Sequence, residues 1–306
     1  MSTGPAAPRP VPDRQVEYVE LSPAEPLSPA AAFWFERFTQ AAFPVPADDP
    51  PHRHNYHEII LVQAGAGRHR IDGQAAELAP NSLALIAKGQ VHWMEYAAGV
   101  DGYLLRFTDD FLPAEMVSQT WDYRAVLFNH LGVNQTLALD PGDMAGLVQC
   151  CALIEQEQGR VDGFQHYTVL RHLLALFVLH TGRIVEHALC PGPETQRAFA
   201  VYQAFAALLE QHYADRHDVQ FYADALHLSP VKLSRQLGAI LGKGTKQIID
   251  ERVVLEARRR LWYTQQTVGE IAYALGYSDQ FHLSKVFKRL VGMSPQEYRE
   301  SRQKTT

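Results

Sequence analysis

The chain has 306 residues, 46% hydrophobic and 20% charged, with a formal net charge of −6. That composition is ordinary for a soluble globular protein of about two domains. It excludes several classes: the first 14 residues lack the apolar core of a secretory signal, the longest strongly apolar run (173–179) is too short to span a bilayer, and three cysteines without C-x-x-C spacing fit neither a disulfide framework nor a zinc site.

The charge is unevenly divided. Residues 195–306 carry 16 Lys and Arg against 11 Asp and Glu, and residues 1–194 carry the other 12 against 23. A basic C-terminal third on an acidic body is the electrostatic footprint of a DNA-binding module attached to a non-binding domain.

Residues 1–30 hold seven of the 18 prolines and little apolar pattern, which predicts a flexible arm. Phe33, Trp34, Phe35 and Phe38 follow, on a short helix or a first strand. From residue 52 to 107, short β-like runs alternate with turn signals: 58–62, 68–71, 75–78, 82–87, 91–96 and 103–107. Asp72-Gly73 is a hairpin signal and Ala79-Pro80-Asn81 another turn. Many short strands joined by tight turns predict a small antiparallel barrel or jelly roll.

A barrel interior of this size suits a small organic effector such as a sugar or an aromatic acid. The pocket candidates are His54, Glu58, His92, Trp93, Tyr96, Tyr103 and Arg106. Strand alternation forbids His92 and Trp93 from both pointing inward. His52-x-His54-x-x-x-Glu58, with His92 further on, resembles the metal motifs of cupin enzymes, although Ala87 stands where proline is usual. These four residues therefore have an alternative reading as metal ligands. The reading adopted is pocket lining, with no metal and no cofactor.

From residue 109 to 187 the pattern turns helical. Met144, Leu147, Val148, Cys151 and Ile154 share one helical face, as do Tyr167, Leu170, Leu174, Phe177 and Ile184. Leu173 and Val178 add apolar surface beyond one face, which points to dimerisation. Residues 188–194 form a Pro- and Gly-containing linker.

The C-terminal part predicts a leading helix at 195–213 and a short helix at 219–226 capped by Asp218. A turn at His227, Leu228 and Ser229 follows. A helix then opens with Ser229 as N-cap and Pro230 at its first position. Residues 245–263 form one long helix. Ile271, Ala274 and Leu275 begin another short helix, and Gly276 supplies the positive φ of a tight turn. Ser278 is the candidate cap of a last reading helix. Leu283, Val286, Phe287 and Leu290 face its core, and Gln280, His282, Lys285, Lys288 and Arg289 face out. A helix, a tight turn and a helix with a basic, amide-bearing front is the plan of a major-groove reader.

The run from Gly276, Tyr277, Ser278 and Asp279 through Phe287 and Lys288 to Gly292, Ser294, Pro295, Tyr298 and Arg299 closely resembles the second helix-turn-helix of the AraC/XylS family of bacterial transcription regulators. The arginine-rich segment 256–261 and the phrase Ala87-Lys88-Gly89-Gln90-Val91-His92 resemble the family too. The resemblance implies an α+β chain of two domains. A flexible arm (1–30) would precede a cupin-like effector-binding and dimerisation domain (31–187). After the linker (188–194) would come an all-α domain with two helix-turn-helix motifs (195–306).

Carried over by position, the residues facing DNA bases are Val231, Ser234, Arg235, Gln280, Phe281, His282 and Lys285. The phosphate contacts are Lys232, Lys243, Lys246, Lys288 and Arg289. The resemblance further implies a cytoplasmic, non-enzymatic activator that works as a homodimer with RNA polymerase as partner and without a membrane. The rival reading is a metal-binding cupin, enzyme or metal sensor, fused to a DNA-binding tail.

Overall fold

The computed structural model describes residues 17–19, 32–39, 51–72, 74–96, 99–116, 122–128, 136–160, 163–190 and 192–304. Most of the expected arm, and the hairpin residue Gly73, lie outside them.

The N-terminal half is two five-stranded sheets packed face to face. One has the order β1 (Glu17–Val19), β3 (His52–His54), β8 (His92–Tyr96), β5 (Gly67–Ile71), β6 (Gln74–Leu78). The other has the order β10 (Thr136–Ala138), β7 (Ser82–Ile86), β4 (His57–Ala64), β9 (Asp101–Phe107), β2 (Phe33–Phe38). Turn chemistry places the strands as expected. Gly65 takes φ +81°, and Asp72 and Asn81 enter the left-handed region at +46° and +56°. The aromatic run before residue 39 is a strand, β2, antiparallel to β9. Residues 17–19, within the expected arm, pair in parallel with His52–His54.

Alternation divides the second sheet. Phe38, Ile60, Val62, Ala84, Ile86 and Leu104 point inward and meet Ile71, Leu78 and Met94 of the first sheet. Phe33, Phe35, Ile59, Leu61, Leu83, Leu85, Tyr103, Leu105 and Phe107 point outward into a second core. This outer face is covered by α1 (Tyr123–Leu127), α2 (Pro141–Gln158) and α3 (His166–Leu189). Both faces of the sheet are thus apolar, as in a central layer.

Cys150, Cys151 and Cys190 are buried free thiols, and Val178 is buried as well. The surplus apolar surface of α2 and α3 is instead Leu153, Val169, Leu176 and Leu179, all exposed. α3 is 24 residues long and contains an 18-residue stretch of mean hydropathy 1.3, so it is long and apolar enough to cross a membrane by those two measures. Its buried face nevertheless belongs to the common core, which is the character of a packing helix.

α3 ends at Leu189 and α4 (Pro193–His212) begins at Pro193, so most of the expected linker is helix. α4 packs on α1 and α3, and Phe199, Tyr202 and Phe205 join the core of the outer sheet face. Tyr222, Leu233 and Leu237 of α5 (Val219–Ala225) and α6 (Pro230–Leu241) continue it. The effector-type domain and the first helix-turn-helix therefore share one apolar core. Leaving it, α7 (Thr245–Tyr263) enters a separate core with α8 (Val268–Ala274), α9 (Gln280–Val291) and α10 (Pro295–Lys304).

Candidate effector site and nucleic-acid interface

The inward face of the sandwich is apolar at one end and polar at the other. His54, Glu58 and His92 are fully buried, and His52 and His69 nearly so. β3, β5 and β8 of one sheet supply the imidazoles, and β4 of the facing sheet supplies the carboxylate. Glu58 Oε1 lies 3.4 Å from His92 Nε2, and Glu58 Oε2 accepts from Arg106 Nε at 2.6 Å. Burial would raise the Glu58 pKa, but the Arg106 guanidinium and His92 hold it well below the usual carboxylate range. His54 Nδ1 sits 2.7 Å from the carbonyl of Tyr56 and must donate to it, which leaves Nε2 as the lone-pair nitrogen. Burial pushes His54 well below its ordinary pKa, and pushes His69 down to about 3. Arg106 also lies over the rings of Trp34 and Tyr56.

Four of the expected pocket residues, His54, Glu58, His92 and Arg106, are thus brought together. Two are not. Trp93 alternates to the outer side, half-buried under Arg70. Tyr103 is buried against Phe35 on the helix-covered face, because alternation groups it with Leu105 and Phe107 rather than with Arg106. The side chain of Tyr96 lies outside the described residues. His69 was missed by sequence reading. Its only signal is that it stands in phase with Ile71 on a hairpin strand.

A cavity of about 460 Å³ lies between the barrel and the C-terminal helices, lined by His57, Lys88, Arg124, Glu210, Arg252 and Arg259, among others. Near it, Asp109 is bonded by His57, Tyr123 and Lys88. Arg252 makes a two-pronged bond to Glu210 at 2.7 and 2.9 Å and lies over the Tyr213 ring. Arg258 donates to the Asp72 carbonyl and Arg259 to its carboxylate, tying α7 to the β5–β6 turn.

The two reading units are built by strong local signals. In the first, Ser229 caps α6 by accepting from the Lys232 amide, Pro230 is the first helical residue, and Gly242 ends the helix at φ +66°. The turn before it uses His227 at φ +55°. In the second, Thr267 and Glu270 form a capping box on α8. Gly276 turns the chain at φ +74°, where a Cβ would meet the Ala214 carbonyl at 2.4 Å. The cap of α9 is Asp279, not Ser278: its carboxylate accepts from the amides of Phe281 and His282 at 2.8 and 2.9 Å.

The outward faces carry the expected residues. Val231 and Phe281 are 80% and 76% exposed, far more than large apolar side chains need to be on a finished surface, which marks an interaction face. Arg235, Gln280, His282, Lys285, Lys232 and Lys288 are exposed beside them. Ser234 is half-buried and shares a hydrogen bond with Thr245 Oγ1 at 2.9 Å, which ties α6 to α7. Lys246 and Arg289 both clamp the buried Asp250, and Lys243 pairs with Glu251. Arg289 thereby ties α9 to α7 and Lys243 ties the preceding turn to it, whereas the Lys246–Asp250 pair lies within α7 and Lys246 reaches outside it to the His217 carbonyl. Tyr273 on α8 is 82% exposed and was not anticipated.

A ligand-type double sheet joined to two exposed reading helices defines a DNA-binding regulator with a ligand-binding domain. Comparison with known proteins agrees. The AraC-like ligand binding domain matches residues 44–174, and a helix-turn-helix domain matches residues 222–301. The chain belongs to the AraC family of transcription regulators. It is 27% identical over 270 residues to the HTH-type transcriptional activator RhaS of Escherichia coli K12, covering 84% of this chain and 89% of RhaS. Among solved structures, ToxT from Vibrio cholerae is 11% identical with a TM-score of 0.38, covering 88% of this chain and 98% of that one. The DNA-binding domain of AdpA in complex with a target DNA is 27% identical with a TM-score of 0.30, covering 32% and 87%.

Proposed function

We propose that this regulator activates transcription, reading two adjacent major grooves with α6 and α9 in response to a small organic effector held in the polar end of the barrel. The observation that carries the reading is the placement of two capped, outward-facing helices on one connecting rod. α7 packs against both and is about 28 Å long at ~1.5 Å per residue. Adjacent major-groove faces of B-DNA lie about 34 Å apart, within reach of such a rod. Activation is supported by the likeness to the transcriptional activator RhaS. The exposed leucines of α2 and α3 support a homodimer, RNA polymerase is the partner activation requires, and the cytoplasm is the compartment that operator DNA implies.

In this reading Val231, Arg235, Gln280, Phe281, His282 and Lys285 face bases. Ser234 does so only by giving up its bond to Thr245. Lys232, Lys243, Lys246, Lys288 and Arg289 contact phosphates, and Arg289 also ties α9 to α7 through Asp250. The effector is gripped by Arg106 and Glu58, with His54 and His92 as polar walls. Titration of Arg235→Ala and Lys288→Ala on matched and scrambled operators at several salt concentrations tests the division of labour. Arg235→Ala is expected to lose about 1–3 kcal/mol on the matched site only. Lys288→Ala is expected to weaken both sites alike and flatten the salt dependence. Equal losses on both sites for Arg235→Ala contradict the assignment.

A further inference from the structure

We propose that the barrel binds one divalent first-row transition-metal ion through His54 Nε2, the Glu58 carboxylate and His92, with His69 as the adjoining imidazole. This rests on the reading of the polar barrel end as a ligand site and adds an ion to it.

The ligand atoms of His54, Glu58 and His92 all lie within 4.8 Å of one another, and all three residues are buried. Ligands at about 2.0–2.2 Å from an ion stand roughly 3.4 Å apart in a tetrahedron; Glu58 Oε1 and His92 Nε2 already stand at 3.4 Å, and the widest pair must close by up to about 1.4 Å. The ligands come from three strands and both sheets, so an ion there would be enclosed from two sides.

The donors are also unmatched without one. His54 Nε2, His92 Nδ1 and both ring nitrogens of His69 lack hydrogen-bond partners, and Glu58 Oε1 and His92 Nε2 meet only each other, at 3.4 Å and without hydrogen-bond geometry. Each buried polar atom left so carries a desolvation penalty, and several converging on one point in a finished core call for a cation.

The supporting shell is in place. His54 is turned by its bond to the Tyr56 carbonyl and stacks on the Tyr56 ring at 3.8 Å. Glu58 is held by Arg106. Oriented imidazoles and hydrogen-bonded carboxylates are what a bound metal requires of its surroundings. Two or three imidazoles with one carboxylate suit zinc, iron, nickel or manganese rather than calcium or magnesium. His69 stands with its ring 5.6 Å from His92 on the next strand and belongs to no sequence motif.

The test uses the full-length protein stripped with a chelator and titrated with Co²⁺, followed by visible absorption and by elemental analysis after Zn²⁺ loading. The expected result is one ion per chain, with affinity falling about a hundredfold or more in Glu58→Gln and His92→Gln. The exposed His172→Gln should bind as the parent does. Zn²⁺ should also raise the melting temperature of the parent and not of Glu58→Gln, a readout that holds even where a variant is less stable. Trace metal only in the parent, or stoichiometric metal retained by both variants, overturns the proposal. No organic effector enters the experiment, so its failure leaves the effector reading to be judged by ligand screening.

Discussion

Asp72 and Arg259 join the barrel to the connecting rod: Arg259 Nη2 donates to Asp72 Oδ2 at 3.3 Å, with both side chains about 15% exposed. The same carboxyl group accepts from Gln90 Nε2 and from the Val91 amide, and the Asp72 amide donates to the Val91 carbonyl. The residue before it, Ile71, pairs with His92. A displacement of His92 by a bound ligand thus has one strand pair to cross before it reaches α7. Such a contact couples two sites only if it differs between two states. Held to the barrel in this way, the rod is expected to lose freedom that DNA binding uses. Asp72→Ala is expected to raise operator affinity of the effector-free protein about five- to tenfold, the low end of ordinary coupling energies. Unchanged affinity in gel-shift titration would make the contact a passive one.

Gly276 and Gly292 both have positive φ, yet they should respond differently to alanine. At Gly276 a Cβ collides with the Ala214 backbone, whereas at Gly292 nothing lies within 4 Å. Gly292→Ala pays only for the left-handed backbone, about 1 kcal/mol. Gly276→Ala must also push α8 and α9 off the loop after α4, so a loss of at least about 3 kcal/mol is expected. Urea denaturation of the two variants measures the difference. Equal losses would mean that the second reading unit does not pack as described.

The cap of α9 gives a sharper local test. Asp279→Ala removes the acceptor for two orphan amides and a negative charge at the helix N-terminus, and is expected to lower the melting temperature measurably. Ser278→Ala, one residue earlier, should stay within about 0.5 kcal/mol, as ordinary surface changes do. The two ranks reversed in thermal unfolding would restore Ser278 as the cap.

Asp109 predicts how stability falls in acid. Partial burial alone would raise its pKa, but His57, Lys88 and Tyr123 hold it below the ordinary 3.8. A carboxyl group with a lowered folded pKa stabilises fully above its unfolded pKa and loses that contribution as pH falls below about 4. Asp109→Asn should therefore cost about 2–3 kcal/mol at pH 7, the worth of charge-assisted bonds to a partly buried acceptor. The gap to the parent should begin to narrow below pH 4 and keep narrowing as the pH falls toward the lower folded pKa. A gap that stays constant between pH 7 and pH 3 in chemical denaturation would contradict this.

Most of the fold was legible because turn residues announce themselves. Gly65, Asp72 and Asn81 punctuate the strands, and Ser229-Pro230 and Gly276 punctuate the helices. Alternation was less informative than it looked. It shows that Tyr103 and Arg106 lie on opposite faces of β9, but not which face is the pocket when both are buried. Trp93 was separated from His92 by the same rule, applied correctly. His69 escaped because Arg68 and Arg70 flank it and no spacing rule includes it. The ties of Arg258 and Arg259 to Asp72 span more than 180 residues of sequence, and periodicity carries no trace of such a contact. Lys243, Lys246 and Arg289 each meet a carboxylate in the fold, and a sequence shows the cation but not that partner.

Whether one chain presents two readers to neighbouring grooves is read out by hydroxyl-radical footprinting on an operator selected with the purified protein. Two protected patches per protomer, about 10 base pairs apart on one face of the duplex, are predicted. A single short patch per protomer, or failure to bind DNA at any salt concentration, would contradict it.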